Sequence, residues 1–393
     1  MKRTLFFIFW GFALVGCTDI HMDQMERCDY SIIKYEIADY ADFGKFHPIL
    51  GEYKDFFFFF DKGLEFKVTA ISYPTVDPNG EPVEASGLVY HPLNRKSKGV
   101  IDFLPSAHMD NDGGGTDQMY AQEAVLILMG YTVIMPDLIG SGISKEKQIP
   151  FLIAENTGRV AYDMRRAAAQ YLWDEFGYKL PSETIIMGYS LGGSAALATQ
   201  KYYEANHSNT VKVKEVYAGG GAYDLPAAFG AFAQTGLCVY PAIAKTILAY
   251  KHYYFDYHGL ELDLGQIFIG DLLLNCDDWF SGVYMSTEIV EKIGTDLHAY
   301  MHPDFFKPFE QQNAEFKKLQ PFLFVNSVSE GWRPKAPIHM THAQNDLLAP
   351  TECADAAVKK LRRAGANVAY STYPGTHMSV AIFFFIRNIL RFL

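Results

Sequence analysis

The chain has 393 residues, of which 49% are hydrophobic, and its formal net charge at pH 7 is -11. This length is enough for one large domain with an insertion or for two ordinary domains, and we expect the former. We expect no nucleic-acid partner, because the chain is acidic and has no run rich in lysine and arginine that could face phosphates. A neutral or acyl substrate fits the charge better.

The first 17 residues are typical of an export signal. Lys2 and Arg3 precede an apolar run at 5–15, and the sequence LVGC ends at Cys17. The apolar run is too short to span a bilayer, which takes roughly 20 residues. The LVGC ending resembles a bacterial lipobox, which implies that Cys17 is lipidated and anchors an exported protein to a membrane of the cell envelope.

Export would place the other four cysteines, which are Cys28, Cys238, Cys276 and Cys353, in a compartment that permits disulfides. The sequence does not choose among the possible pairings, although Cys238 and Cys276 are one candidate pair because they share an insertion. Neither a C-x-x-C nor an H-E-x-x-H pattern occurs, so we expect no zinc site.

An N-terminal segment at 18–63 separates the signal from the regular part of the chain. Five phenylalanines at 56–60 follow neither a strand period nor a helix period, so they cannot all face a core from one element. We interpret them as a partly buried strand or entry segment rather than a membrane-contacting patch, since large exposed apolar patches are unusual.

A regular pattern of strands and helices begins at residue 64. The alternating stretches LEFKVTAISYPT and PVEASGLVYHP flank the turn sequence DPNG, which predicts an antiparallel hairpin. Six strand-like runs follow: GVIDFL, YTVIMPD, ETIIMGYS, VKEVYAGGG, APIHMTHA and NVAYSTYP. Helical patterns occupy 116–129, 154–177, 191–207, 351–365 and 379–393. The alternation predicts an α/β fold with a mostly parallel, doubly wound sheet.

A long aromatic-rich stretch at 223–335 interrupts the alternation. A structureless loop of that length inside a compact domain is improbable, so we expect a mainly helical cap inserted between core segments 64–222 and 336–393. The C-terminal stretch SVAIFFFIRNILRFL contains Arg387 and Arg391, which favours a core-packing helix over a membrane span.

The sequence GYSLGG at 188–193 joins a strand-like run to a helical pattern. A serine in this position is often only a helix N-cap. Here the buried strand leads directly into the motif, and the small neighbours Gly188, Gly192 and Gly193 permit a strained turn that would expose the Ser190 hydroxyl beside the positive end of a helix. That context favours Ser190 as a nucleophile.

A serine nucleophile needs a base, and the base needs an acid that orients it. Asp346 follows one of the last two predicted strands, in IHMTHAQNDLLAP, and His377 follows the other, in STYPGTHMS. The order Ser190, Asp346, His377 is the one expected when these groups lie on this kind of strand-turn-helix scaffold.

These motifs, together with VTAISYPTVDPNGEPVEASGLVYHP, GGGAYDL and THAQNDLLAP, resemble the α/β-hydrolases, and within them the secretory lipase branch, over residues 64–393. The resemblance implies an α/β-hydrolase fold in which Ser190 is the nucleophile, Asp346 the orienting acid and His377 the general base. It also implies that the backbone N–H of Leu191 is one donor of the oxyanion hole, because this residue follows the nucleophile.

The second oxyanion donor should lie in the loop PSAHMDNDGGGTD, which lacks the HG or HGGG pattern common in the superfamily. Ser106, Ala107 and His108 remain open for this role, and Ala107 is our candidate. The same loop resembles the start of a calcium loop, but the EF-hand position that requires glutamate is Ala121 here, so we expect no calcium site.

Another acid could orient the base. Asp224, in GAYDL, also follows a strand-like run, but the H-x-x-x-D context favours Asp346. We interpret His342 and Asp137 as structural residues.

The expected activity is hydrolysis of carboxylic esters through an acyl-enzyme, without a metal or organic cofactor. The rival activity is a peptidase of the prolyl-oligopeptidase kind, although the upstream segment is too short for a propeller gate. A third possibility is an envelope-anchored binding protein that has the fold without the reaction.

Overall fold

The computed structural model describes residues 27–45, 60–106, 115–119 and 122–392. The predicted export signal with Cys17 lies outside these residues, as does the loop segment with Ala107 and His108. Of the phenylalanine run, only Phe60 is described, and its side chain is buried.

Nine strands form one sheet in the described part of the chain. They are β1 Ser31–Asp39, β2 Glu65–Val76, β3 Pro82–Pro92, β4 Val100–Leu104, β5 Thr132–Pro136, β6 Glu183–Tyr189, β7 Lys212–Gly219, β8 Ile338–Ala343 and β9 Val368–Tyr373. The order across the sheet is β1-β2-β3-β5-β4-β6-β7-β8-β9. The first three neighbouring pairs, β1–β2, β2–β3 and β3–β5, are antiparallel, and the remaining pairs from β5 to β9 are parallel. The predicted α/β class with a mostly parallel sheet is therefore confirmed.

The sequence predicted the β2–β3 hairpin but not the edge strand β1. β2 and β3 pair in register from Phe66 opposite Pro92 to Val76 opposite Pro82, as the alternating pattern predicted. β1 was not predicted, because nearly all of its residues are exposed on both faces and so it lacks the one-sided apolar alternation of a half-buried strand.

The helices are α1 Gly115–Gln118, α2 Ala154–Phe176, α3 Leu191–Asn206, α4 Leu225–Thr235, α5 Ala242–Tyr250, α6 Gly270–Trp279, α7 Ser286–Ile293, α8 Ala314–Asn326, α9 Thr351–Arg363 and α10 His377–Ile389. The single helix predicted at 116–129 is wrong. It is the short α1 followed by the 3-10 helix Gln122–Met129. Met119 lies just after α1 with a φ of 63°, a left-handed backbone that cannot continue a right-handed helix.

Helices cover both faces of the sheet, so the parallel strands are buried on both sides, as their continuous apolar runs require. On one face, Phe384 of α10 joins a core that includes Phe103 and Met187. On the other, Leu197 of α3 and Leu361 of α9 pack with the strand residues of a second core. No helix of the described residues is long and apolar enough to cross a membrane.

The stretch between β7 and β8 is mainly helical, with α4 to α8 and several 3-10 turns. Its aromatic and aliphatic side chains form a separate apolar cluster around residues such as Tyr250 and Phe268. Phe151 and Ile153, which lie just before α2, belong to the same cluster. The inserted helices therefore pack on the loop that leads into α2, above one end of the sheet.

Cys238 and Cys276, the candidate disulfide pair, are both free, as are Cys28 and Cys353. The Cys238 thiol donates to the carbonyl oxygen of Tyr240 at 2.8 Å, and Cys276 contacts the carbonyl of Leu273 in its own helix. Each thiol is thus turned toward its own segment, and burial raises the pKa of Cys238 to about 11.

A buried ion pair joins the central strand β4 to α2. The Arg165 Nη1 atom lies 2.9 and 3.0 Å from the two carboxylate oxygens of Asp102, and Nη2 donates to the carbonyl of Pro181 at 2.7 Å. Both side chains are about 2–3% exposed. Burial raises the pKa of Asp102, and the Arg165 charge opposes that rise.

We predict that Arg165→Met lowers the free energy of unfolding by about 3–5 kcal/mol, because it leaves the Asp102 carboxylate buried without its counter-charge. The loss should be larger at about pH 8 than at about pH 5, since a folded-state pKa raised above the unfolded value costs stability as the pH rises through it. Urea unfolding at both pH values measures this. Arg166→Met, at the neighbouring and more exposed arginine, is the matched control, and an equal loss in both variants would contradict the prediction.

Candidate active site

Ser190 forms the turn between a strand and a helix by itself. β6 ends at Tyr189, and α3 begins at Leu191. The Ser190 backbone has a φ of 59° and a ψ of -126°, a region that residues with a side chain rarely occupy. Its N–H donates to the carbonyl of Gly219 at the end of β7, at 2.8 Å. The hydroxyl therefore stands at the edge where the carboxyl ends of the parallel strands meet.

Two glycines make this turn possible by close backbone approach. A Cβ atom on Gly188 would overlap the carbonyl of Gly192 one turn further on. A Cβ on Gly192 would overlap the carbonyl of Leu104, the last residue of β4. The glycines of GYSLGG thus let the start of α3 lie directly against the strand ends.

His377 and Asp346 complete a hydrogen-bonded chain with Ser190. His377 Nε2 lies 2.9 Å from the Ser190 Oγ atom, and His377 Nδ1 lies 2.7 Å from Asp346 Oδ2. A carboxylate only accepts hydrogen bonds, so Nδ1 carries the ring proton and Nε2 is left to accept the serine hydroxyl. The structure therefore brings together the three residues proposed from the sequence, in the arrangement that activates a hydroxyl.

The turn after β8 fixes the carboxylate of Asp346. Its Oδ1 atom accepts the backbone N–H groups of Leu348 and Ala349 at 3.0 and 2.9 Å, which leaves Oδ2 directed at the imidazole. His342 supports this turn, because its Nε2 lies 2.7 Å from the Ala349 carbonyl. A carbonyl oxygen only accepts, so the His342 Nε2–H donates to it. Burial lowers the pKa of His342.

The backbone that carries the imidazole is held by two further hydrogen bonds. His377 is the first residue of α10, whose N-cap Thr376 accepts the Ser379 N–H through its side chain. The Tyr189 hydroxyl donates to the His377 backbone carbonyl at 2.6 Å. Sequence reasoning gave Tyr189 no role, and the only signal was its place directly before the serine.

Asp224, the alternative acid, is engaged elsewhere. Its carboxylate caps α4 by accepting the Ala227 N–H at 3.2 Å, accepts the Ser329 hydroxyl at 2.7 Å, and lies 2.7 Å from the Lys360 ammonium. The histidine instead contacts Asp346.

The serine lies beside potential oxyanion donors. Leu191 is the first residue of α3, and the first N–H groups of a helix have no acceptor within it. Ser106, one of the three residues considered for the second donor, has its hydroxyl directed to the Tyr189 carbonyl at 3.0 Å. Ala107 follows Ser106 and lies outside the described residues, so its assignment stays a prediction.

A cavity of about 80 Å³ lies beside the turn that carries Ser190, where Ser106 and Leu191 line it. Ala195 of α3 and Phe151 also contribute to its lining. Asp137 also lines it, but its buried carboxylate accepts the Ser86 and Thr116 hydroxyls at 2.5 and 2.6 Å, which fits the structural role expected from the sequence. Burial raises the pKa of this carboxyl.

The helical insertion also borders this cavity. Tyr240 and Lys245 contribute to its lining. The Lys245 ammonium lies 3.2 Å from the Tyr240 hydroxyl and 2.8 Å from the Ser286 hydroxyl, so it is held within the insertion. In the described residues there is no group of three or more histidine, cysteine or acidic side chains placed to hold a metal ion.

No family model and no curated protein matches this sequence. Solved structures do match. A Legionella pneumophila protein provisionally described as a hydrolase superposes with a TM-score of 0.75 at 18% identity, covering 93% of this chain and 97% of that chain. The rice cell wall degrading esterase LipA from Xanthomonas oryzae gives 0.73 at 18%, covering 92% and 96%. Candida antarctica lipase A gives 0.57 at 16%, covering 88% and 77%.

The chain has the α/β-hydrolase fold. At these sequence identities the likeness extends to the fold and carries no activity with it.

We predict that Asp346→Asn slows covalent labelling of Ser190 by a fluorophosphonate by about 10⁴-fold, because the wrong histidine tautomer is then favoured. Asp224→Asn is the matched control and should label at nearly the wild-type rate. Intact-mass spectrometry over time measures both rates. Loss of labelling in the Asp224 variant, with the Asp346 variant unaffected, would reverse the assignment.

Proposed function

We propose that this protein hydrolyses carboxylic esters, with Ser190 as nucleophile, His377 as general base and Asp346 as the acid that orients the histidine. The proposal rests on the continuous hydrogen bonds from Ser190 Oγ to His377 at 2.9 Å and from His377 to Asp346 at 2.7 Å. The names of an esterase and a lipase among the solved structures with this fold support an ester as the bond that is cleaved.

In the first half of the reaction, Ser190 Oγ attacks the ester carbonyl while His377 Nε2 takes the hydroxyl proton. The Leu191 N–H and the positive end of α3 stabilise the negative charge that develops on the carbonyl oxygen. Asp346 stabilises the imidazolium through Nδ1–H. His377 then returns the proton to the departing alcohol, and an acyl-serine remains.

In the second half, His377 Nε2 takes a proton from water, which attacks the acyl-serine carbonyl. The same donors hold the second tetrahedral intermediate. When it collapses, the proton passes to Ser190 Oγ, the acid departs and the hydroxyl is restored. No cofactor enters this sequence of steps.

The size of the cavity favours a short acyl group. Its volume of about 80 Å³ is small beside the roughly 300–1,000 Å³ of pockets that bury drug-sized ligands. Its walls are mainly aliphatic and aromatic, which suits a hydrocarbon chain. We infer that the acyl group of the substrate enters this cavity and that the insertion forms its roof.

We predict that p-nitrophenyl acetate and butyrate are hydrolysed with a kcat/KM at least about tenfold above that of the palmitate ester, because a long chain exceeds the cavity. Ser190→Ala is the blank, and its hydrolysis rate should not exceed the rate that the rest of the site supports with water as the nucleophile. Cleavage of proline-containing amides in preference to esters would favour a peptidase, and failure of every substrate and of fluorophosphonate labelling would favour a binding protein.

A cavity variant sharpens this test. Ala222 is half-buried and lines the cavity, so Ala222→Leu should lower kcat/KM for butyrate more than for acetate. Ala366→Leu is the control, since Ala366 is also half-buried but precedes β9 at the opposite end of the strands. An unchanged ratio in the Ala222 variant would place the acyl group elsewhere.

We also infer, from the sequence alone, that the protein is exported and lipid-anchored through Cys17. The wild-type protein should fractionate with membranes and be released from them only by detergent, whereas Cys17→Ala should appear in the soluble fraction. Equal fractionation of the two proteins would contradict the lipid anchor and would leave the proposed reaction unaffected.

A further inference from the structure

β1 is a nine-residue strand at the edge of the sheet, and within the described residues it pairs only with β2. Three large apolar side chains in its middle are exposed: Ile33 by 43%, Tyr35 by 57% and Ile37 by 63%. Ile32 adds another at 43%. Long apolar edge strands template pairing with another strand, and proteins normally shorten, charge or cover them. Among the residues that the structure describes, this edge is long and apolar, and its outer side pairs with no other strand.

Two of the three charged residues of β1 flank its centre, and the third, Asp39, ends the strand. The strand runs from Ser31 to Asp39, so Tyr35 is its midpoint, with Lys34 on one side and Glu36 on the other. Lys34 faces Ala70 of β2, and Glu36 faces Val68, so the two charged side chains lie on the same face of the sheet.

We propose that β1 pairs antiparallel with β1 of a second copy of this chain, about a two-fold axis at Tyr35. An isologous pair of this kind extends the sheet across two subunits and uses the same edge on both. In the fully overlapped register, Lys34 lies opposite Glu36 of the second copy, and Glu36 lies opposite its Lys34. Both directly facing charged pairs are therefore attractive.

Neighbouring registers are disfavoured by the same charges. Facing residues of an antiparallel pair lie on the same face of the sheet. The two-fold axis can therefore pass through a residue position but not midway between two residues. An axis at Glu36 would place Glu36 opposite itself, and an axis at Lys34 would place Lys34 opposite itself. Like charges directly opposite each other destabilise a strand pair. Of these three registers, the charges favour the one that also gives the greatest overlap.

Two contacts that these side chains make among the described residues do not oppose the pairing. Lys34 Nζ lies 3.5 Å from the Asp117 carbonyl, and a Glu36 carboxylate oxygen lies 3.5 Å from the Lys45 ammonium. Both are surface contacts, which contribute little and rearrange readily. The irregularity in the β1–β2 register lies between Ile32 and Lys34, so the central pairs belong to the regular part of the strand. The pairing consumes the edge on both copies, so assembly stops at a dimer.

Charge reversal tests the register as well as the dimer. Glu36→Lys places two lysine pairs across the axis, and Lys34→Glu places two glutamate pairs there, so each variant alone should dissociate with a dissociation constant raised by about tenfold or more. When the two variants are mixed, the facing pairs are again lysine with glutamate. The mixture should form a heterodimer of wild-type affinity.

Sedimentation velocity over a concentration series measures these equilibria, and differently labelled variants identify the heterodimer. Glu84→Lys, an exposed reversal on the interior strand β3, is the matched control and should dimerise as the wild type does. Circular dichroism checks that each variant is folded. A monomeric wild type would overturn the proposal and favour cover of the edge by another segment of the same chain. A dimer insensitive to both reversals, or single variants that do not combine, would overturn it too.

Discussion

The backbone at Ser190 is the constraint on which the rest of the site depends. A residue with a side chain held at a φ of 59° costs on the order of 1–3 kcal/mol, so the surroundings must over-determine it. They do so through the hydrogen bond from its N–H to Gly219 and through the close packing of Gly188 on Gly192 and of Gly192 on Leu104. Contacts with β4, β6 and β7 therefore hold the strained turn, and the register of these strands fixes the position of the Ser190 hydroxyl.

The other two groups reach the serine because parallel strands end at a common edge. Asp346 follows β8 and His377 follows β9, and each is locked by its own local turn. The Asp346 carboxylate is held by two backbone N–H groups. The His377 backbone is held by its place at the start of α10 and by the Tyr189 hydroxyl, which donates to the His377 carbonyl. The three residues are far apart in the sequence, but each is positioned by the end of its own strand. The sheet brings these strand ends together and so sets the distances between the side chains.

The sequence predicted the elements whose residues bury one side or both. The strands from β2 to β9 and the helices α2, α3, α9 and α10 agree with the apolar patterns to within a few residues. β1 lacks such a pattern because it is exposed, and the break at Met119 depends on a left-handed backbone that periodicity does not encode. At the site, motif and chain order named Ser190, Asp346 and His377. The hydrogen bonds of Tyr189, Ser106 and His342 form only when the fold brings their partners close, so no sequence pattern predicted them.

The insertion holds one wall of the cavity through hydrogen bonds to the loop that leads into α2. The Tyr253 hydroxyl donates to the Gln148 carbonyl at 2.6 Å, and the Tyr250 hydroxyl lies 3.3 Å from the carbonyl of Leu152. These bonds hold the loop that forms one wall of the cavity, where Leu152 has a φ of 56°. A change in the inserted helices can therefore move the wall and change the shape of the cavity, while Ser190, His377 and Asp346 keep the geometry that the sheet imposes. The shape of the cavity and the geometry of the hydrogen-bonded chain thus depend on separate parts of one fold.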